Sequence, residues 1–208
     1  GGVVWTGGLG LFSPNASDLT ATYTPTAGEI ASGSITLTLT STGNGSCVAS
    51  TDEVTYTFTP APTADADNDR IVCANNAEVT LNGSVTVASG GIWSGGTGTF
   101  TPDASTLNAD YQPSAAEILN GAVTLTLTTT GNGNCTAVTD EVTIIITQAP
   151  TADAGSDQVV CANNPDVELD GSVSIANGGV WSGGAGTFSP DASTLDATYT
   201  PSPAEIAA

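Results

Sequence analysis

Strict alternation of apolar and polar residues is the clearest feature of the chain. In AVTLTLTTT, residues 122–130, Val123, Leu125 and Leu127 fall on one face and Thr124, Thr126 and Thr128 on the other. SITLTLTST, residues 34–42, repeats the arrangement with Ile35, Leu37 and Leu39. Period-two alternation marks a strand with one face in a core and the other in water. The pattern predicts further strands at EVTLNGSVTV, GIWSGG, GTFTP, NADYQP and DEVTIIIT, separated by Gly-, Asn- and Pro-rich turns such as GNGN. Only the patch SAAEILNG, around Glu117, suits a helix. The elements predict an all-β chain.

The pattern repeats. Trp5, Trp93 and Trp181 stand 88 residues apart, as do Cys47 and Cys135, and Cys73 and Cys161. The segments TPAPTADADND, 59–69, and TQAPTADAGSD, 147–157, combine Pro, Ala and acidic residues, which disfavour strand pairing and suit solvated linkers. That phase divides the chain into the C-terminal part of one unit (1–60), a complete unit (61–148) and the N-terminal part of another (149–208). About seven strands in each unit is the pattern of an immunoglobulin-like β-sandwich, here in tandem modules. A partial sandwich exposes its core, so the two ends predict a chain cropped from a longer array or completed by neighbouring subunits.

Composition narrows the function. The 208 residues include 21 Asp and Glu, one basic residue, Arg70, and no His, for a net charge of −20. Without His there is no Ser-His or Cys-His relay and no imidazole metal ligand. One arginine cannot neutralise a run of phosphates, so nucleic acid is not an expected partner. No apolar run approaches the ~20 residues that cross a bilayer, so membrane insertion is not expected. The carboxylate pairs Asp140–Glu141 and Asp52–Glu53 are adjacent in sequence. In a strand such neighbours point to opposite faces and cannot flank one glycosidic bond, so no enzyme is predicted.

Three strings carry a resemblance: ADAGSDQVVCANNPDVELDGSV, GGVWSGGAGTFSPDASTLDATYTPSPAEI and, from the preceding copy, GAVTLTLTTTGNGNCTAVTDEVTIIIT. Together they span essentially a whole unit, and the chain resembles the PKD-like, immunoglobulin-like tandem repeats of large secreted bacterial surface proteins of the gliding-adhesin type. The resemblance implies an extracellular β-sandwich used as a spacer or adhesive module, with no catalytic residues. Two cysteines per unit depart from plain PKD repeats. Four cysteines without a CxxC motif point to disulfides in an oxidising compartment. One pairing joins Cys73 to Cys135 within a unit, where Cys73, Trp93 and Cys135 follow the Cys, Trp, Cys order of immunoglobulin sandwiches. The other joins Cys47 to Cys73 and Cys135 to Cys161 across the linkers. The first is preferred, because each module then closes independently.

Other candidate chemistry lies in the linkers and turns. Asp65, Asp67 and Asp69 alternate in DADND, and Asp153 and Asp157 lie in the next linker. Calcium takes six to eight oxygen ligands, and a module junction could assemble them from such carboxylates; the plain alternative is a set of solvated turn residues. The sequons at Asn15, Asn44, Asn82 and Asn134 are candidate glycan acceptors. The periodic tryptophans are expected in the core rather than stacked on sugars. The expected role is a structural repeat of an extracellular filament or adhesin stalk, partnered by neighbouring copies. The alternative is an adhesin module that recognises glycan or protein through its loops.

Overall fold

The computed structural model describes residues 1–207. Its centre is the 61–148 segment, where two β-layers close over one core. The larger layer is a four-stranded sheet in the order Gly90–Ser94, Ala122–Thr130, Thr139–Thr147, Arg70–Cys73. The first two pairings are antiparallel, and the last is parallel, with Cys73 opposite Thr147. The facing layer is built from short pieces: Thr63–Asp65 paired with Ser84–Thr86, and Val79–Thr80 joined through Asp110–Gln112 to Thr99–Thr101.

Alternation decides which face is inside. Val123, Leu125, Leu127, Val142, Ile144 and Ile146 project from the long hairpin into the core, where they meet Val79, Leu81, Trp93 and Tyr111. Leu125, Leu127 and Ile144 are fully buried. Each such side chain contributes about 1.5–3 kcal/mol by leaving water. The opposite face carries the threonines, which hydrogen-bond across strands as Thr124 does with Thr143 at 3.2 Å. Trp93 is 2% exposed, and its indole N–H donates to Leu107 O at 3.0 Å. The close fit requires Gly83, where a Cβ would come within 2.8 Å of the Trp93 ring.

SAAEILNG forms the predicted helix, Ala115–Asn120. Ser114 and Glu117 make a reciprocal capping box at its start, and Gly121, at φ 80°, ends it in the left-handed region. Arg70–Cys73 is a sheet strand in a stretch where alternation predicts none; the other sandwich strands fall where alternation predicts, with two differences. EVTLNGSVTV breaks into two strands, because Leu81 N and Gly83 N donate to Ala109 O and Leu107 O instead of to a neighbouring strand. The 59–69 segment is not a wholly solvated linker. Thr63–Asp65 is a strand, and Ala66 is 1% exposed in the core.

The flanking segments use the same registers. Trp5 stands opposite Leu39 as Trp93 stands opposite Leu127. Residues 1–60 form a sheet of Gly2–Thr6, Ser34–Thr42 and Thr51–Thr57 with the hairpin Leu11–Ser13/Thr22–Thr24. Residues 149–207 carry Thr151–Asp153 on Ser172–Ser174, and Val167–Glu168 and Thr187–Ser189 on Thr198–Thr200. Trp5 and Trp181 are only half-buried. The chain is an all-β protein of tandem immunoglobulin-like sandwich architecture.

Candidate functional site at the junction between units

The long hairpin sets the poles of the unit. Its strands run nine residues each, about 30 Å at 3.3 Å per residue. The chain arrives at one pole, where Ala66 N donates to Asp140 Oδ2 at 2.8 Å near the start of Thr139–Thr147. It leaves at the other, where that strand ends at Thr147. Asp69 Oδ1 accepts from Thr143 N at 2.8 Å, so two carboxylates fasten the beginning of the unit to its last strand. Asp140, in the TDEV string of this unit, thereby gains a structural role.

The cysteines lie at these poles. Cys73 ends the parallel strand at the exit pole, and its thiol donates to Gln148 O, with Sγ 3.7 Å from that oxygen. Cys135 sits in the turn of the long hairpin at the arrival pole, with Sγ 3.6 Å from Pro60 O and 4.0 Å from Thr59 O. All four thiols are free. The structure does not bring Cys73 and Cys135 together: the length of the Thr139–Thr147 strand separates them, whereas a disulfide needs Cα atoms within about 7 Å. Nor does it join Cys47 to Cys73 or Cys135 to Cys161. Immunoglobulin-type pairing sets both cysteines in core strands; here one is at a strand end and the other in a turn.

The linker carboxylates do not converge. Asp65 Oδ1 accepts from Asp67 N at 2.9 Å, Asp67 Oδ2 is 2.6 Å from the Arg70 guanidinium and 3.2 Å from Asn82 Nδ2, and Asp69 is held by Thr143. The Asn68 backbone amide, the Asn82 side chain and the Arg70 charge hold the Asp67 carboxyl below its ordinary range. In the next linker Asp153 accepts from Gly155 N at 2.9 Å, and Asp157 is exposed. Calcium needs several oxygens aimed at one point. These carboxylates are directed to different partners, and among the described residues no cluster of three or more Asp, Glu or Cys is placed to hold a metal. The residues do not fit a calcium centre.

Of the sequon asparagines, Asn15 and Asn134 are exposed. Asn44 Nδ2 donates to Ser41 O at 3.0 Å and Asn82 Nδ2 to Asp67, so the nitrogens that would carry sugar there are already engaged.

One buried acid went unnoticed in the sequence beyond its place in the helix. Glu117 is 6% exposed, and its carboxylate accepts from Thr97 N at 2.6 Å, Ser114 N at 2.7 Å and the Tyr111 hydroxyl at 2.9 Å. Burial raises its pKa, but these donors outweigh that and hold it below the ordinary glutamate value. Burial, together with the facing carboxylate, pushes the Tyr111 phenol up to about 12. Glu29 with Tyr23 and Glu205 with Tyr199 repeat the arrangement. The usable signal was a Tyr six residues before a Glu in every copy. The network is saturated with donors, offers no open position to a ligand and works as a structural clasp.

No described protein family matches the sequence, and no curated protein does. Among solved structures the chain is similar to mouse cadherin-23 EC22-24, at 14% identity and a TM-score of 0.44, covering 97% of this chain and 76% of that one. It is similar to the extracellular cadherin domains 3-6 of protocadherin gamma B2, at 11% identity and a TM-score of 0.37, covering 96% and 58%. It is also similar to the human desmocollin-1 ectodomain, at 14% identity and a TM-score of 0.32, covering 73% of this chain and 36% of that one. The chain thus spans about a third of the desmocollin chain and somewhat under two thirds of the protocadherin chain. Similarity at this level assigns no activity. Among the described residues no helix is long and apolar enough to cross a membrane.

Proposed function

We propose that the chain is a segment of a tandem array that forms the stalk or filament body of an extracellular bacterial surface protein, acting by length, stiffness and resistance to cleavage. The observation that carries this reading is the polar placement of the two chain ends of the 61–148 unit. A module entered at one end and left about 30 Å away at the other propagates as a line when repeated. The acidic segment that opens the 61–148 unit contributes a strand and a core alanine to it, which supports a short packed connection to the preceding residues rather than a free tether. Arg70 is the only site for trypsin-like cleavage and is ion-paired to Asp67. The −20 charge keeps arrays soluble and apart at low salt.

The test is electron microscopy of the native surface material. A beaded fibre with an axial repeat of roughly 30–45 Å is expected, from the strand length plus a short linker. Compact particles without an axial repeat would overturn the proposal, and binding of the chain to a glycan array would favour loop recognition instead.

A further inference from the structure

The two half-buried cysteines of the complete unit meet equivalent atoms. Cys73 Sγ is 3.7 Å from Gln148 O, and Cys135 Sγ is 3.6 Å from Pro60 O. Gln148 and Pro60 are one 88-residue period apart, each following the last strand of its unit. The first cysteine therefore approaches this carbonyl from the unit that is ending, and the second approaches its counterpart from the unit that is beginning. Where one unit follows another in this geometry, the two sulfurs share one oxygen and lie within about 7 Å of each other, inside the reach of a thiol rotamer change.

We propose that each junction of the array is closed by a disulfide between Cys73 of one unit and the Cys135 equivalent of the next, 150 residues further along the chain. This rests on the array reading above and differs from both pairings expected from sequence. With this offset of 150 residues no two of the four cysteines of the chain are partners of each other. Local geometry at the two kinds of position recurs. Cys73 and Cys161 each bridge to the asparagine three residues on, and Cys47 N and Cys135 N each donate to the asparagine carbonyl three residues back, at 3.1 Å.

The oxidant is a small disulfide such as oxidised glutathione. One thiolate attacks a glutathione sulfur and expels glutathione thiolate; the second thiolate then attacks the protein sulfur of the mixed disulfide and expels the other glutathione. The two cysteine thiols lose two electrons and two protons, and one glutathione disulfide becomes two glutathione thiols.

The experiment compares the full 208-residue chain with the same chain carrying a second copy of residues 61–148 inserted after residue 148. Both are equilibrated with oxidised and reduced glutathione, and the monomer fraction is peptide-mapped without reduction. The 208-residue chain is expected to form no internal disulfide. The lengthened chain is expected to lose two free thiols to one bond, between Cys73 of the first copy and Cys135 of the second. C135S in the second copy should abolish that bond, whereas C73S in the second copy should leave it intact. A Cys73–Cys135 bond within one copy, a Cys47–Cys73 or Cys135–Cys161 bond in either chain, or no bond in the lengthened chain would overturn the proposal. Small-angle scattering of the reduced lengthened chain separates this from the array itself: an elongated particle without the disulfide sinks only the covalent link, and a compact one sinks the array.

Discussion

Replacing Glu117 by Gln removes one charge from the clasp while conserving its volume. Oε1 accepts from Thr97 N and the Tyr111 hydroxyl, and Oε2 from Ser114 N and the same hydroxyl. Whichever way the amide turns, its NH₂ faces a backbone N–H that was paired with oxygen. One charge-assisted bond worth about 1.5–3 kcal/mol is lost, and a buried N–H without a partner costs about a further 1–3 kcal/mol. Rotation of the Tyr111 hydroxyl, which can accept from the new NH₂, returns part of this. The expected destabilisation is about 2–4 kcal/mol, a large share of the 5–15 kcal/mol typical of a whole domain. Urea unfolding monitored by Trp93 fluorescence, with Trp5 and Trp181 replaced by Phe, reads it directly. At an ordinary slope of 1–3 kcal/mol per molar, the midpoint falls by about 1 M or more. Y111F, which also removes the acceptor for Gly98 N, should be non-additive with E117Q, because both act on one network. E205Q breaks the same bonds in an exposed copy and should move the stability of its own segment less. An E117Q unfolding free energy within about 0.5 kcal/mol of the parent, the range of ordinary surface changes, would refute the reasoning.

Acidification should destabilise the fold. Donors hold Glu29 and Glu205 down to about 2 and Glu117 below its ordinary value. The stabilisation is therefore complete above the unfolded glutamate value near 4.3 and is lost as pH falls through the folded values. Melts in ~0.5 M salt, which screens the net charge, should show a plateau above about pH 5 and a decline toward pH 2; a rise would contradict this. L127A, at a fully buried site, is expected to cost about 2–5 kcal/mol, and L39A, at its half-buried counterpart, less; equal losses in urea unfolding would count against the packing described. A chelator should leave the melting curve unmoved, since the linker aspartates are engaged by amides and Arg70, and a lowered transition would show that calcium binds after all.

The long hairpin, the buried tryptophan and the capped helix were legible because each follows from a local pattern: alternation, a large apolar residue in a strand, and Ser-x-x-Glu before Gly. The Thr63–Asp65 strand was not. Its Pro- and Asp-rich context reads as linker, and its pairing with Ser84–Thr86 depends on a hairpin-like approach that only the assembled layer supplies. The cysteines misled for the opposite reason. A familiar Cys, Trp, Cys order suggested a pair across the core, but GNGNCT already placed Cys135 in a turn, and parallel pairing of Arg70–Cys73 with the final strand carried Cys73 to the far pole. Linear order cannot distinguish neighbours across a sandwich from residues at opposite ends of it. Likewise the alternate aspartates of DADND looked like ligands, whereas each found its own donor in the fold.

The parallel pairing of Arg70–Cys73 with the last strand has a mechanical consequence. A stalk under tension pulls each unit by its two chain ends, and those ends lie at opposite poles. The register Ile144–Arg70 through Thr147–Cys73 is then loaded along the strand axes, so its hydrogen bonds must rupture together in shear instead of opening one at a time. In a stalk of the kind proposed, the same short strand that closes the sandwich would be its force-bearing clamp.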